Sequence, residues 1–167
     1  MRDFETALTV SRLKDILQYC PDTGVFRFKV RRGRIPAGSI AGTYHRGGYV
    51  IIRIDYFLYR AHRLAWLYMT GGWPKRIDHK DLNKHNNRWS NLREATSSEN
   101  LANQAAPKTN TSGYKGVTWH RQRRRWQAGI QVNGRHKHLG LFADPEEAHS
   151  AYVVAAQKYF GQFARAS

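Results

Sequence analysis

The chain has 167 residues, with 28 Lys or Arg against 12 Asp or Glu, and a formal net charge of +16. Its hydrophobic content of 41% is enough for a modest core, which excludes a simple disordered basic tail. A charge surplus of this size favours polyanionic partners, with nucleic acid the first candidate and an anionic membrane surface the second. No helical pattern joins a basic face to an exposed apolar one, and no apolar run could span a bilayer.

A single cysteine, Cys20, excludes an internal disulfide and any zinc site built on several cysteines. The N-terminal sequence MRDFETALTV has acids where a secretory signal would be basic and then apolar. We therefore expect a soluble cytoplasmic protein of a reducing compartment, without a membrane partner or a small-molecule cofactor. The oligomeric state is left open, a monomer being one possibility.

The first 60 residues alternate short β-like runs with turns, and strands are predicted at 25–30, 49–54 and 57–61. A short helix is predicted over about residues 62–70, because two glycines and a proline follow it.

Five asparagines and an Asp-His pair distinguish the next segment, IDHKDLNKHNNRWSNLREATSSEN (77–100). Its SNLREA portion (90–95) is predicted to be a strand, and the following TSSE forms a capping box that begins a helix. A β-hairpin followed by a helix would bring Asp78, His79 and Asn100 together.

That grouping suits phosphodiester hydrolysis. A hard divalent cation needs a few oxygen ligands, and the attacking water needs a base whose pKa lies near neutrality. Asp78 offers a carboxylate directly beside the His79 imidazole, which has such a pKa.

The same residues resemble the motif of HNH endonucleases. Asp78-His79 is followed by Asn91 after twelve positions and by Asn100 after nine more, as in the phage homing-endonuclease branch, where the last position is Asn instead of His. The flanking HRLAW and NNRWSNLREATSSENLANQ are typical of that branch. The resemblance implies a ββα-metal site, with His79 as general base, Asp78 and Asn100 as ligands of one Mg²⁺ or Mn²⁺, and Asn91 as a brace for the hairpin.

Other polar residues nearby have competing interpretations. His85 is better explained as an exposed loop residue than as a second phosphate-side histidine. Arg93, placed on one strand with Asn91, could stabilise phosphate charge or form a structural ion pair. His62 fits a hydrogen-bonded structural histidine better than a ligand. The remaining asparagines are interpreted as turn residues: Asn83, Asn86 and Asn87.

The last third of the chain begins with QAAPKTNTSG (104–113), a predicted linker. Three strand-like runs follow: YKGVTWH, RWQAGIQV and HKHLGLF, the last two joined by the hairpin signal Asn133-Gly134. Asp144 and Pro145 then begin a helix that should end at Gly161. Its predicted buried stripe consists of Ala148, Ala151, Tyr152, Ala155 and Tyr159.

This region also resembles a known module. YKGV, RW-x-A-x-I, LGLF, EEA-x-x-AY-x-x-AA and G-x-x-AR are similar to the AP2 domain of plant ERF-type regulators, whose sheet enters the major groove of DNA while a helix backs it. Several arginines that the plant domains use are replaced here, by Thr118, Gln131 and His138, so no sequence preference is carried over.

Strand alternation gives a compatible picture, because residues 104–143 carry eight basic side chains and no acid. Trp126, Ala128 and Ile130 should face the helix, together with Leu139 and Leu141. His136 and His138 could hold a metal only with a third ligand. Trp119 could equally pack within the protein or stack on a DNA base. The residues predicted to contact DNA occupy the open face and its rim: Lys115, Thr118, Arg121, Arg123, Arg124, Arg125, Gln127, Gln131, Arg135, His136 and His138.

The sequence thus predicts an α+β protein: a β-rich N-terminal region and HNH nuclease core over 1–103, with the ββα motif at about 76–103, a linker over 104–113, and an AP2-like domain over 114–167.

The predicted function is metal-dependent cleavage of double-stranded DNA by a phage-type homing nuclease. A non-catalytic DNA-binding regulator is the alternative, against which the complete motif argues. An RNA-binding protein would need aromatic patterns that are absent here. Whether the N-terminal strands contact DNA or only pack is left open.

Overall fold

The protein is described by a computed structural model covering residues 7–107 and 109–165. The chain divides into two compact units, one ending at Glu94 and the other beginning at Ala95. The domain boundary predicted from sequence lies later, in the linker 104–113. Residues 1–6, Lys108 and residues 166–167, which belong to the predicted ranges, lie outside the described residues.

The first unit contains a helix that the sequence patterns did not predict. Helix α1, Val10–Ile16, starts at Thr9, whose side chain accepts a hydrogen bond from the Arg12 backbone N–H. Its buried Leu13 and Ile16 join the core of the unit. Strands β1 (Leu17–Cys20) and β2 (Val25–Phe28) follow as an antiparallel pair.

A second antiparallel sheet has the order β3 (Thr43–Tyr44), β4 (Val50–Ile54) and β5 (Phe57–Arg60). Helix α2, Ala61–Thr70, ends at Gly71, which adopts the left-handed conformation that glycine tolerates best. The predicted strands at 49–54 and 57–61 and the predicted helix therefore correspond closely to observed elements.

The third sheet is the hairpin of β6 (Ile77–His79) and β7 (Leu92–Glu94). The predicted strand at 90–95 is wrong in its first half, because Trp89–Asn91 form a 3₁₀ turn. Asn91 and Arg93 consequently do not share a strand.

The second unit contains α3 (Ser97–Asn103), β8 (Val117–His120), β9 (Arg125–Val132), β10 (Arg135–Phe142) and α4 (Pro145–Phe160). The capping box before α3 is confirmed, as is the Asp144 cap of α4. The strands form an antiparallel sheet in the order β10–β9–β8, and Asn133 and Gly134 both have the positive φ of a tight hairpin turn. Ala128 and Ile130 pack in two clusters that include helix residues.

Two predicted burial assignments in this unit are wrong. The register shifts between His138 and Gly140, and Leu141 pairs with Gln127 on the open face instead of joining the core. A β-bulge reverses the alternation of every residue beyond it. On α4, Phe160 is buried in place of Tyr159.

Among the described residues, no helix has the length and apolarity needed to cross a membrane.

Candidate functional site

The hairpin β6–β7 places Asp78 and His79 side by side at the end of a buried strand. Asp78 pairs with Arg93 and His79 with Leu92 in the register. Both polar residues are buried, Asp78 at 3% and His79 at 6% exposure. Buried polar side chains need partners, so the contacts of each define what it can do.

His79 contacts an asparagine that the sequence patterns assigned to a turn. Its Nε2 lies 3.4 Å from Oδ1 of Asn87, which is itself only 3% exposed. Asn87 is fixed in turn, because its backbone carbonyl accepts a 2.7 Å hydrogen bond from the Tyr19 hydroxyl. The contact between His79 and Asn87 is a hydrogen bond in the tautomer that carries the imidazole proton on Nε2.

Burial lowers the pKa of His79, opposed by the hydrogen bond with Asn87 and by the carboxylates of Asp81 and Asp78. The imidazole is therefore neutral at pH 7. A neutral imidazole has a lone pair available and can act as a base.

Two further rings surround the His79 imidazole. The His62 ring lies edge-on to it at 5.0 Å between centroids, and Tyr49 lies at 6.2 Å. Two cations cover the Tyr49 ring, Arg60 at 4.5 Å and Lys84 at 4.9 Å. Arg60 and Lys84 therefore place positive charge near the neutral base, where a phosphate of DNA could be bound.

His62 differs from its predicted role as a hydrogen-bonded structural histidine. It is buried, and within the described parts of the chain its Nδ1 has no hydrogen-bond partner. Burial also lowers its pKa well below the usual value, and the charges of His79, Arg60 and Arg63 act in the same direction. His85, by contrast, is exposed in the loop as predicted, with its ring 4.5 Å from Tyr44.

Arg93 forms an ion pair with Asp78. Its Nε and Nη2 lie 2.8 Å and 2.7 Å from the same carboxylate oxygen, Oδ2, and both side chains are largely buried. Of the two interpretations open to Arg93, the structure shows the ion pair, which fixes the orientation of the Asp78 carboxylate.

Asn91 fastens the loop between β6 and the 3₁₀ turn. Its Nδ2 donates to Oδ1 of Asp81 at 2.9 Å and to the Asn86 carbonyl at 2.8 Å, while its Oδ1 accepts from the Asp81 backbone N–H at 3.1 Å. Asp81 also accepts from Asn86 Nδ2 and from the Asn83 backbone N–H. These contacts are what a brace for the His79 hairpin requires.

Asn100 belongs to the second unit, in the first turn of α3, where it is half-buried. A carboxylate and an amide oxygen, as in Asp78 and Asn100, are hard ligands that suit Mg²⁺, which usually keeps several waters and one or two protein carboxylates. The described residues contain no cluster of three or more His, Cys, Asp or Glu suited to a metal. Each of the two side chains, taken by itself, thus offers oxygen atoms of the kind that Mg²⁺ or Mn²⁺ binds.

The open face of the C-terminal sheet carries polar side chains from all three strands. Thr118 pairs with Gln127, and His136 with Gln131, so these four share one face. A cleft of about 380 Å³ opens there, bordered by Thr118, Gln127 and His136. Within the cleft Gly129 allows the His136 ring to lie close, since a Cβ would come 2.5 Å from its Nε2.

The arginines lie mainly in the β8–β9 turn. Arg121, Arg123, Arg124 and Arg125 are all exposed, as is Arg135 at the start of β10. His138 is exposed on the open face, opposite Gly129. Trp119 lies on the other face, 46% exposed and edge-on to Trp126. These positions suit phosphate contacts at the turn and base contacts on the face.

Lys115 is not positioned like the others. Its amine donates to the backbone carbonyls of Ala102 and Gln104. Burial lowers its pKa to about 8, with a smaller contribution from Arg165. We therefore leave Lys115 out of the candidate DNA-contact surface.

Four residues near the site were missed by the sequence patterns: Asn87, Asp81, Lys84 and Arg60. Asn87 was interpreted as a turn residue, and the sequence patterns assigned no role to Asp81, Lys84 or Arg60. No local sequence pattern identifies these four residues, because their role depends on which loop residues the fold brings close to His79.

Residues 59–102 match the HNH endonuclease family. Protein 3.8 of Escherichia phage T7 is 36% identical over 108 residues, which are 64% of this chain and 88% of that protein. The AP2-like ethylene-responsive transcription factor AIL7 of Arabidopsis thaliana is 48% identical over 50 residues, which are 29% of this chain and 10% of that protein. A solved structure of DNA binding and cleavage by the HNH homing endonuclease I-HmuI has a TM-score of 0.42 at 20% identity, covering 85% of this chain and 83% of that chain.

Proposed function

Because the chain belongs to the family of Protein 3.8 of phage T7 and contains an HNH endonuclease domain, we propose that it is a metal-dependent endonuclease that cuts or nicks double-stranded DNA. One observation carries the proposal. A neutral, buried histidine, held by Asn87, lies next to Asp78 at the end of β6.

His79 acts as the general base. Its imidazole, which Asn87 contacts at Nε2, takes a proton from the water that attacks the scissile phosphorus. Asn91 keeps the loop closed, so that the imidazole is held in one orientation while the proton moves.

Asp78 and Asn100 would each supply an oxygen atom to one divalent cation. When bound, Mg²⁺ or Mn²⁺ would act as a Lewis acid on the phosphate and stabilise the leaving oxygen. Arg93 orients the Asp78 carboxylate, while Arg60 and Lys84 offset the charge of the DNA backbone beside the base.

The C-terminal unit binds the duplex. Its exposed arginine turn neutralises phosphates, and the open sheet face presents side chains to base edges in the major groove, as the AP2 resemblance implies. Gln127, Gln131 and His138 would then decide sequence preference. The phage relative supports a phage setting. The motif that ends in Asn100 supports a homing role, because it resembles that of phage homing endonucleases.

The test is direct. Purified protein incubated with supercoiled plasmid should convert it to nicked or linear DNA with Mg²⁺, and EDTA should stop the reaction. The ratio of nicked to linear product also reports whether one or both strands are cut. Duplex binding without cleavage under any divalent cation would favour the non-catalytic regulator.

A further inference from the structure

Helix α3, which carries Asn100, is too short to be stable by itself. It has seven residues, and helices of that length form only when tertiary contacts hold them. Within the second unit, Ala102 of this helix is buried in one cluster with Ile130, Tyr152 and Phe160. The position of Asn100 therefore depends on the C-terminal sheet and its helix.

Hydrogen bonds from other parts of the second unit hold helix α3 on both sides of Asn100. Towards the start of the helix, Oγ of Ser98 accepts a 3.0 Å hydrogen bond from the backbone N–H of Asn133, in the turn between β9 and β10. At the other end, the Lys115 amine donates to the carbonyls of Ala102 and Gln104. A cation at the last carbonyls of a helix satisfies acceptors that lack helical partners and complements the helix dipole.

We propose that Lys115 is a positioning residue for Asn100, because its amine holds the end of the helix that carries this proposed metal ligand. This inference rests on the proposed function, since it takes Asn100 as a metal ligand. It assigns to Lys115 a task different from the phosphate contact that its charge alone suggests. In this proposal the C-terminal unit contributes to catalysis as well as to DNA binding, because helix α3 of the nuclease motif belongs to it.

The test compares full-length Lys115→Met with full-length Lys137→Met. Lys137 is an exposed residue of β10, with its amine 5.2 Å from the centre of the Tyr159 ring. Each of the two variants therefore removes one positive charge from the second unit. Ser98→Ala removes the hydrogen bond on the other side of Asn100 without changing charge. Three quantities are measured: hydrogen exchange of the α3 amides, the Mg²⁺ concentration for half-maximal cleavage, and the duplex Kd as a function of salt.

In Lys115→Met, α3 amides should exchange on the order of ten- to a hundredfold faster, the range expected for losing hydrogen bonds to a charged donor. The Mg²⁺ requirement should rise several-fold, with duplex affinity changed no more than in Lys137→Met. Ser98→Ala should move exchange and Mg²⁺ requirement in the same direction by less, and Lys137→Met should leave both unaltered.

Unchanged α3 exchange in both Lys115→Met and Ser98→Ala would overturn the proposal, and so would faster exchange with an unaltered Mg²⁺ titration. A loss of duplex affinity in Lys115→Met well beyond that of Lys137→Met would instead make Lys115 a DNA contact. Failure of the proposed function has a different signature: no cleavage by the unmodified protein, although the exchange difference persists.

Discussion

Replacing Asn91 by alanine probes whether this side chain holds the His79 loop. Asn91 is 8% exposed, and its amide makes three hydrogen bonds, two of them with Asp81. Alanine removes all three and leaves the carbonyl of Asn86 without that donor. The variant should therefore lose stability together with activity.

The size of the loss follows from the bonds. The bond to the Asp81 carboxylate falls at the lower end of the charged range, about 1.5 kcal/mol, because Asp81 is exposed. The other two contribute about 0.5–1 kcal/mol each, and shared partners make the sum less than additive. We expect about 2–3 kcal/mol, which lowers the Tm of the first unit, a unit of fewer than 100 residues, by roughly 8–24 °C.

Calorimetry measures the Tm, and plasmid nicking measures the rate. Asn83→Ala is the matched control: Asn83 is exposed, its side chain accepts one local bond from the His85 backbone N–H, and its removal should cost less than about 0.5 kcal/mol. Equal Tm values for Asn91→Ala and Asn83→Ala would show that Asn91 does not brace the loop.

Three other variants test separate residues of the two units. Asp78→Asn, which keeps the shape but removes the charge, should raise the Mg²⁺ concentration needed for half-maximal cutting; an unaltered titration would remove Asp78 as a ligand. Arg123, Arg124 and Arg125 changed together to Gln should reduce the salt slope of duplex binding by about 0.9 for each phosphate that is no longer neutralised, and an unchanged slope would contradict phosphate binding at this turn. Burial lowers the pKa of His62 in the folded protein, whereas the unfolded chain protonates this residue near pH 6.5, so the urea midpoint of unfolding should fall as the pH drops below about 6.5. The midpoint should fall less in His62→Phe, and equal falls in the two proteins would contradict burial of a neutral His62.

Features governed by local chemistry were predictable from the sequence. The Thr96 capping box, the Asn133-Gly134 turn and the Asp144 cap each depend on residues a few positions apart, and all are present. The hairpin predicted before helix α3 is also present, although its second strand begins only at Leu92.

Features that depend on distant contacts were not predictable. Helix α1 has only seven residues and begins with the β-branched Val10, so burial against the core decides its form more than propensity does. The bulge before Gly140, which turns Leu141 outward, has no marker other than that glycine. Asn87 has the sequence context of a turn residue, and only the fold brings it to His79.

The proposed function depends above all on His79 as the base of a DNA-cutting site, and the quantity to measure is the single-turnover cleavage rate of His79→Ala. At saturating duplex and Mg²⁺, we expect this rate to fall on the order of 10²–10⁴-fold while duplex affinity stays unchanged. His85→Ala, which removes an exposed histidine six residues along the same loop, should cut at nearly the unmodified rate. If His79→Ala cuts within about threefold of the unmodified protein, far less than the loss expected for removing a general base, His79 is not the base.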